Sequence, residues 1–342
     1  LMHVTCIEID IQRSISPWRD LVALFHIYLF LKKERVVIAH STTPKAGLLT
    51  ALAAFFAGVP VRLHTFTGQP WVDMTGLKRQ LARFSDRVIG KLNTRCYSDS
   101  LSQREFLIKQ RIVDATDINV IGAGSLAGVD IRRFAANRVS SVDCASVKAR
   151  YHIPIDAPVI LFLGRITVDK GVRELLSAFE ILKASNSKAH LLFVGQFDAD
   201  SGAAGVIRRN EIERFSDTHI VGYSDCPETF LAIADFLCLP SYREGFGTVV
   251  IEAASMGVPT VGTNIYGLSD AVVHGETGLL VAPRNVEELS RAMRRMLESK
   301  ALCRQMGDAA RRRAHTLFDS EKVNRMVAEE YCAMLQKISP PK

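Results

Sequence analysis

At 342 residues the chain is longer than one hydrophobic core usually serves, and two domains are expected. Hydrophobic residues make up 48% and charged residues 23%, the composition of an ordinary folded protein, which excludes extended disorder. The formal net charge of +7 favours an anionic partner, whether a nucleotide, a pyrophosphate, a phospholipid surface or nucleic acid, and chooses none of them.

In chain order, Leu1 and Met2 lead at once into a strand-like stretch, His3 to Ile9, a start expected of a fragment or of a misplaced start codon. The longest apolar run, Leu21 to Leu31, contains His26 and is too short to span a bilayer, so it reads as a core helix in preference to one lying on a membrane. Val36 to Ala39 and Val61 to His64 read as buried strands around a helix from Lys45 to Ala57, which Gly58 and Pro60 end. Leu77, Leu81, Phe84, Val88 and Leu92 recur at helical spacing and predict one amphipathic helix. Its other face carries Lys78, Arg79, Arg83, Arg87 and Lys91, suited equally to water and to lipid phosphates or an anionic acceptor.

Arg138 to Ser146 is small and polar and is expected to link the halves. A second alternating series follows. Strands are expected at Pro158 to Gly164, His190 to Gly195, His219 to Val221, Asp235 to Pro240 and Val258 to Gly262. Helices are expected at Val172 to Ala184, Thr248 to Met256, Glu287 to Glu298, Leu302 to His315 and about Ser320 to Gln336. Strands alternating with helices predict an α/β fold of two Rossmann-like parallel-sheet domains facing across a cleft. The seven cysteines are dispersed, with no CxxC pair and no metal spacing, and read as free thiols of a reducing cytosol.

Ligands of such sheets bind beyond the carboxyl ends of strands, so strand-to-helix turns matter most. Gly164-Arg165-Ile166-Thr167-Val168-Asp169-Lys170-Gly171 offers an Arg fork and a Lys point charge ahead of a helix, a set suited to a diphosphate. Two solvated surface cations would read the same way. Pro240-Ser241-Tyr242-Arg243-Glu244-Gly245-Phe246-Gly247-Thr248 pairs a loop carboxylate, Glu244, with Glu252 about one turn into the next helix. Carboxylates accept hydrogen bonds in pairs and suit the neighbouring hydroxyls of a sugar. The plain alternative is one ordinary helix residue and one acid near a helix N-terminus. Gly267-Leu268-Ser269-Asp270 and Gly275-Glu276-Thr277-Gly278-Leu279-Leu280-Val281 read, by chemistry alone, as a turn pair.

In this order the motifs closely resemble retaining glycosyltransferase family 4, the group 1 glycosyltransferases of GT-B architecture, over about Val159 to Leu317. Looser likenesses at Arg62 to Gly68 and Ile121 to Asp130 point to enzymes of bacterial polysaccharides and lipid-linked oligosaccharides, including lipopolysaccharide and capsule. The resemblance implies that Arg165 and Lys170 hold the donor diphosphate and that Glu244 contacts the sugar, with the Gly245, Phe246, Gly247 and Thr248 backbone close by. It puts Glu252 on the ribose and the backbone of Gly195, Gly222 and Tyr223 at the base, with UDP the expected nucleotide. It implies catalysis by Glu244, Arg165 and Lys170 without a metal or other cofactor, by front-side attack in which Glu244 is no covalent nucleophile. The acceptor is expected to be a glycan or a polyprenyl-diphosphate-linked sugar, at the cytoplasmic face of the plasma membrane. The basic helix 77–92 is the candidate membrane contact.

Two departures from the family pattern stand out. No Gly-rich loop follows a first strand, so the N-terminal domain is expected to lack its first βα unit. Thr67-Gly68 lacks the His of a Thr-x-His-Gly turn, and His64 is expected to be a core residue. The domains are then 1–145 for the acceptor, 146–318 for the donor, and a C-terminal helix, 319–342, packing back toward the first. An epimerase or hydrolase on the same scaffold would want an acid/base cluster that is not found, and an inactive sugar-nucleotide-binding paralogue is the other alternative. Gly122-x-Gly124 is too short for a dinucleotide fingerprint. Nucleic-acid binding has only net charge behind it.

Overall fold

The computed structural model describes residues 5–12, 16–185, 187–198 and 206–338. They form two compact units: Leu1–Ile121 with Met326–Lys342, and Gly122–Arg325.

The first unit runs α1 (Pro17–Lys33), β1 (Ile38–Ser41), α2 (Pro44–Ala57), β2 (Val61–Phe66), α3 (Gly76–Leu92), β3 (Arg95–Ser98), α4 (Leu101–Lys109) and β4 (Ile118–Asn119). Its four strands pair in parallel in the order β1-β2-β3-β4, as helical crossovers require. The second unit holds α5 (Ser141–Arg150), β5 (Val159–Leu163), α6 (Val172–Ala184), β6 (His190–Val194), α7 (Arg209–Glu213), β7 (Thr218–Gly222), α8 (Pro227–Leu231) and β8 (Phe236–Leu239). It continues through α9 (Thr248–Ser255), β9 (Thr260–Thr263), α10 (Leu268–Ala271), β10 (Gly278–Val281), α11 (Val286–Glu298) and α12 (Lys300–Leu317), and α13 (Ser320–Ile338) starts within it.

The second sheet is parallel, in the order β10-β9-β8-β5-β6-β7. β5, β6 and β8 are buried along their whole length, as unbroken apolar strands covered on both faces should be. From β5 the chain moves outward through β6 and β7, then returns to lay β8 on the other side of β5. The order therefore reverses between β5 and β8, the kind of point beyond whose carboxyl ends open α/β sheets bind ligands.

Several expectations need correction. Thr5 to Ile9 form no strand, and His3 and Val4 lie outside the described residues. The stretch 138–146 is no linker: Ser140 and Asp143 make a reciprocal capping box that starts α5. The boundary falls between Ile121 and Gly122, not after residue 145, and the C-terminal segment returns to the first unit at Met326. Gly278 to Val281, read as part of a turn, is the edge strand β10.

Helix α3 lies where its periodicity puts it, but with the opposite face inward. Leu77, Leu81 and Phe84 are exposed, while Asp86, Ile89 and Gly90 are buried. Gly90 fits because an added Cβ would come within 2.9 Å of Val113 Cγ2. The Asp86 carboxylate accepts the Trp71 indole N–H at 2.7 Å. Burial raises the Asp86 pKa to about 6, against the lowering by that hydrogen bond. Spacing defined the stripe; the available partners decided which side was covered.

Helix α1 is a core helix on one side only. Ala23, Ile27 and Leu31 are buried, and Trp18, Leu21, Phe25 and Leu29 are exposed. His64 is a core residue, as expected, with Nδ1 2.9 Å from Ser41 Oγ, and burial lowers its pKa to about 3.

Gly195, just past β6, has a φ of +149°, and a Cβ there would collide with the Gly164 carbonyl oxygen. The ends of β5 and β6 can thus approach this closely only at a glycine. Gly195→Ala should destabilise the protein by about 1–3 kcal/mol, read as a lowered urea midpoint at unchanged m-value.

Candidate active site

Both motif loops leave the carboxyl ends of the strands that flank the reversal, Gly164 to Gly171 after β5 and Pro240 to Gly247 after β8. The first closes with a single 3-10 turn, Val168–Lys170, and then Gly171 in the left-handed region, from which α6 starts. A Cβ on Gly171 would collide with the Pro240 carbonyl, so the two loops touch backbone to backbone. The Tyr242 N–H donates to the Asp169 carbonyl at 2.8 Å, and Arg243 Nη2 meets Asp169 Oδ2 at 3.1 Å.

That clamp brings together two residues 74 positions apart. Lys170 Nζ stands 2.6 Å from Glu244 Oε1, and the same oxygen accepts the Ser241 hydroxyl at 2.8 Å. Both side chains of the pair are mostly covered. Burial works to raise the Asp169 pKa, but the Thr167 hydroxyl and the Arg243, Lys170 and Arg165 cations outweigh it and hold that carboxyl ionised. Arg165, on the same loop, bonds Asp198 at 2.8 Å.

The third motif backs the second. Gly267 lies so close to the Glu244 and Gly245 carbonyls that a Cβ would fall 2.6 and 2.5 Å from their oxygens. The Thr263 hydroxyl donates to the Ser241 carbonyl, and Arg313 Nη2 holds the Asp270 carbonyl at 2.7 Å. Phe246 is buried against Phe318, ring centroids 5.1 Å apart, and Gly247, left-handed with a φ of +87°, starts α9 at Thr248.

Glu252 lies on α9, half-buried. Burial raises its pKa, the charge of Arg133 opposes this, and Glu228 adds to it. Arg133 is itself held: Asp130 Oδ1 accepts the Arg132 and Arg133 N–H groups at 2.9 and 3.0 Å, and the guanidinium bonds Glu228 at 3.0 Å. At the ends of β6 and β7, the Gly195 N–H donates to the Gly222 carbonyl at 2.8 Å, beside an exposed Tyr223. The predicted residues thus sit along the carboxyl ends of β5, β6, β7 and β8 or on α9. Among the described residues, no group of three or more His, Cys, Asp or Glu is placed to hold a metal ion.

Two cations and two carboxylates on such loops can hold a diphosphate and a pair of vicinal diols. Residues 146–313 match the family model described as "Glycosyl transferases group 1". The chain belongs to the group 1 glycosyltransferases. It is 27% identical to the capsular polysaccharide biosynthesis glycosyltransferase CapM of Staphylococcus aureus, over 96% of this chain and 85% of that protein. It is 25% identical to the Escherichia coli UDP-Gal:alpha-D-GlcNAc-diphosphoundecaprenol alpha-1,3-galactosyltransferase, over 85% and 74%. A crystal structure of Anabaena Alr3699/HepE in complex with UDP-glucose shares the fold at a TM-score of 0.78 and 20% identity, covering 93% of this chain and 84% of that one. The fold of this glycosyltransferase is GT-B.

Sequence reading missed the supporting residues. Asp169, Ser241 and Arg243 lay inside quoted motifs, but only the folded loops show that they join them. Glu174, which accepts the Tyr242 hydroxyl at 2.5 Å, and Asp198 carried no signal of their own.

Glu252 yields a stability test. Its folded pKa is raised, so its ionised form costs stability above that pKa, and the cost disappears below the unfolded value near 4.3. Glu252→Gln should therefore raise the melting temperature of the glycosyltransferase at pH 7 and lose that advantage at about pH 4.

Proposed function

We propose that the enzyme transfers a sugar, with retention, from a UDP-sugar to a hydroxyl of a glycan or a polyprenyl-diphosphate-linked sugar in cell-envelope polysaccharide synthesis. The observation that carries this reading is Lys170 beside Glu244, with Arg165 on the same loop, at the reversal point of the second sheet. The named relatives support the pathway and the acceptor class, one by its capsular role and one by its diphosphoundecaprenol acceptor. The neighbour bound to UDP-glucose supports the donor.

On this reading Arg165 and Lys170 face the donor diphosphate. As the sugar–phosphate bond breaks, negative charge builds on the leaving phosphate, and cations already in place stabilise it with little reorganisation. Glu244 accepts hydroxyls of the sugar, with the backbone of Gly245 to Thr248 alongside. Glu252 accepts the ribose hydroxyls, and Gly195, Gly222 and Tyr223 border the base. The acceptor hydroxyl attacks from the face the diphosphate leaves, passing its proton to the departing phosphate. No metal is needed, since the two cations do its work.

Thermal shift with UDP, GDP and ADP tests the donor, and stabilisation by UDP is the expected result. No shift with any of the three would sink the reading. Arg165→Ala and Lys170→Ala should each lower kcat/KM about 10²–10³-fold, with EDTA leaving the wild-type rate unchanged. The anomeric configuration of the product, read by NMR, decides retention.

The enzyme also works, on this reading, at the inner face of the plasma membrane. No described helix is long and apolar enough to cross a membrane. Exposed Leu77, Leu81 and Phe84 stand on α3 among exposed Lys78 and Arg79, apolar and cationic groups that an anionic bilayer accepts together. Arg83 and Arg87 contribute less, because they bond the Gln110 and Arg111 carbonyls. Flotation with anionic liposomes should recover the wild type, and the variant with Leu81→Ser, Phe84→Ser and Arg79→Gln should stay behind. Equal recovery of both removes α3 as the contact.

A further inference from the structure

We propose that Asp198 is a resting counter-anion for Arg165, which a nucleoside diphosphate must displace and which retakes Arg165 as that ligand leaves. The inference rests on the reading of Arg165 and Lys170 as the diphosphate cations.

The backbones of the two loops are fixed side by side. The Gly164 N–H donates to the Val194 carbonyl at 3.0 Å, the Ile166 N–H donates to the Gln196 carbonyl at 2.8 Å, and Ile166 bridges to Phe197. This ladder sets Arg165 opposite the turn that carries Asp198, and Arg165 Nη1 meets Asp198 Oδ2 at 2.8 Å. The partners differ in freedom: the Asp198 side chain is 14% exposed and the Arg165 side chain 49%. The carboxylate is anchored, while the guanidinium has an open side.

A guanidinium carries five N–H donors in a rigid fork, and this contact uses Nη1 alone. A diphosphate brings more charge and can take the fork in two places, so it wins Arg165 from a single carboxylate oxygen. The exchange leaves the cation paired in both states. It also subtracts the old pair from the affinity for the new one, which weakens the hold on the product. Lys170 with Glu244 repeats the pattern, but Glu244 belongs to the proposed sugar contact. Asp198 is the partner whose removal isolates the competition.

The experiment is calorimetric titration with UDP of the wild type, Asp198→Asn, Arg165→Ala and the double variant. Asp198→Asn should bind UDP about threefold to fivefold tighter, the worth of a partly exposed ion pair, and UDP should inhibit turnover more strongly by the same factor. The gain should vanish on the Arg165→Ala background, where there is nothing to compete for. Unchanged or weaker binding by Asp198→Asn overturns the proposal and makes Asp198 a support for Arg165. Tightening that persists without Arg165 also overturns it, as plain relief of charge repulsion. Should Asp198→Asn fold poorly, Asp198→Ser gives the same comparison. The underlying reading fails separately: wild type that ignores UDP, or UDP binding indifferent to Arg165→Ala, removes the diphosphate role itself and the inference with it.

Discussion

The site depends on one close backbone contact, Gly171 against the carbonyl of Pro240. β5 and β8 are neighbours in the sheet although 72 residues lie between them in the chain, and the loops leaving them meet with no room for a side chain at Gly171.

 The 72 are residues 164–235, which carry the chain out through β6 and β7 and back. A side chain at residue 171 would part the loops and move Lys170 away from Glu244. The remaining contacts trim this one: Tyr242 N–H on the Asp169 carbonyl, Arg243 on the Asp169 carboxylate, and Gly267 pressed behind Glu244 and Gly245.

The same packing explains why so much charge can stand at the end of a buried sheet. Lys170, Arg243 and Arg165 each have a carboxylate partner, at 2.6, 3.1 and 2.8 Å. A cation held without a partner in a covered place is costly, and a paired one is tolerated. The carboxylates thus keep these cations placed and oriented. Such placement is what makes electrostatic catalysis effective, because little has to move when charge develops. Glu252 stands apart: burial raises its pKa, and Arg133, whose charge opposes this, is engaged with Glu228.

Legibility in the sequence followed the physics of each feature. β5 and β6 were readable because strands buried on both faces leave unbroken apolar runs, and the loops after β5 and β8 because glycines mark close backbone approach. Lys170 with Glu244 was suggested only as two motifs; their meeting depends on the sheet order, which no local pattern contains. Asp198 was invisible, since it reaches Arg165 across 33 positions and belongs to no motif. The first unit was read less well. β4 has two residues, and at the start of the second unit the capping box at Ser140 and Asp143 looked like the polar composition of a linker. α3 was placed correctly and turned the wrong way, because a stripe of Leu77, Leu81 and Phe84 has the same period whether it faces a core or something outside the chain.

The polar interior of the first unit is of another kind. His40 lies with Nδ1 2.5 Å from the Tyr331 hydroxyl and Nε2 2.8 Å from Thr65 Oγ1, and the Tyr97 hydroxyl donates to Glu330 at 3.0 Å. These bonds fasten the middle of α13 to β1, β2 and β3. Burial lowers the pKa of His40 to about 4 and, with the charge of His40 as a smaller cause, that of His64 to about 3. Both rings are therefore neutral at physiological pH, and both are taken up in hydrogen bonds that hold the unit together. The cations that the proposed chemistry calls for stand elsewhere, at the carboxyl ends of β5 and β8, and in that proposal the leaving phosphate accepts the proton itself.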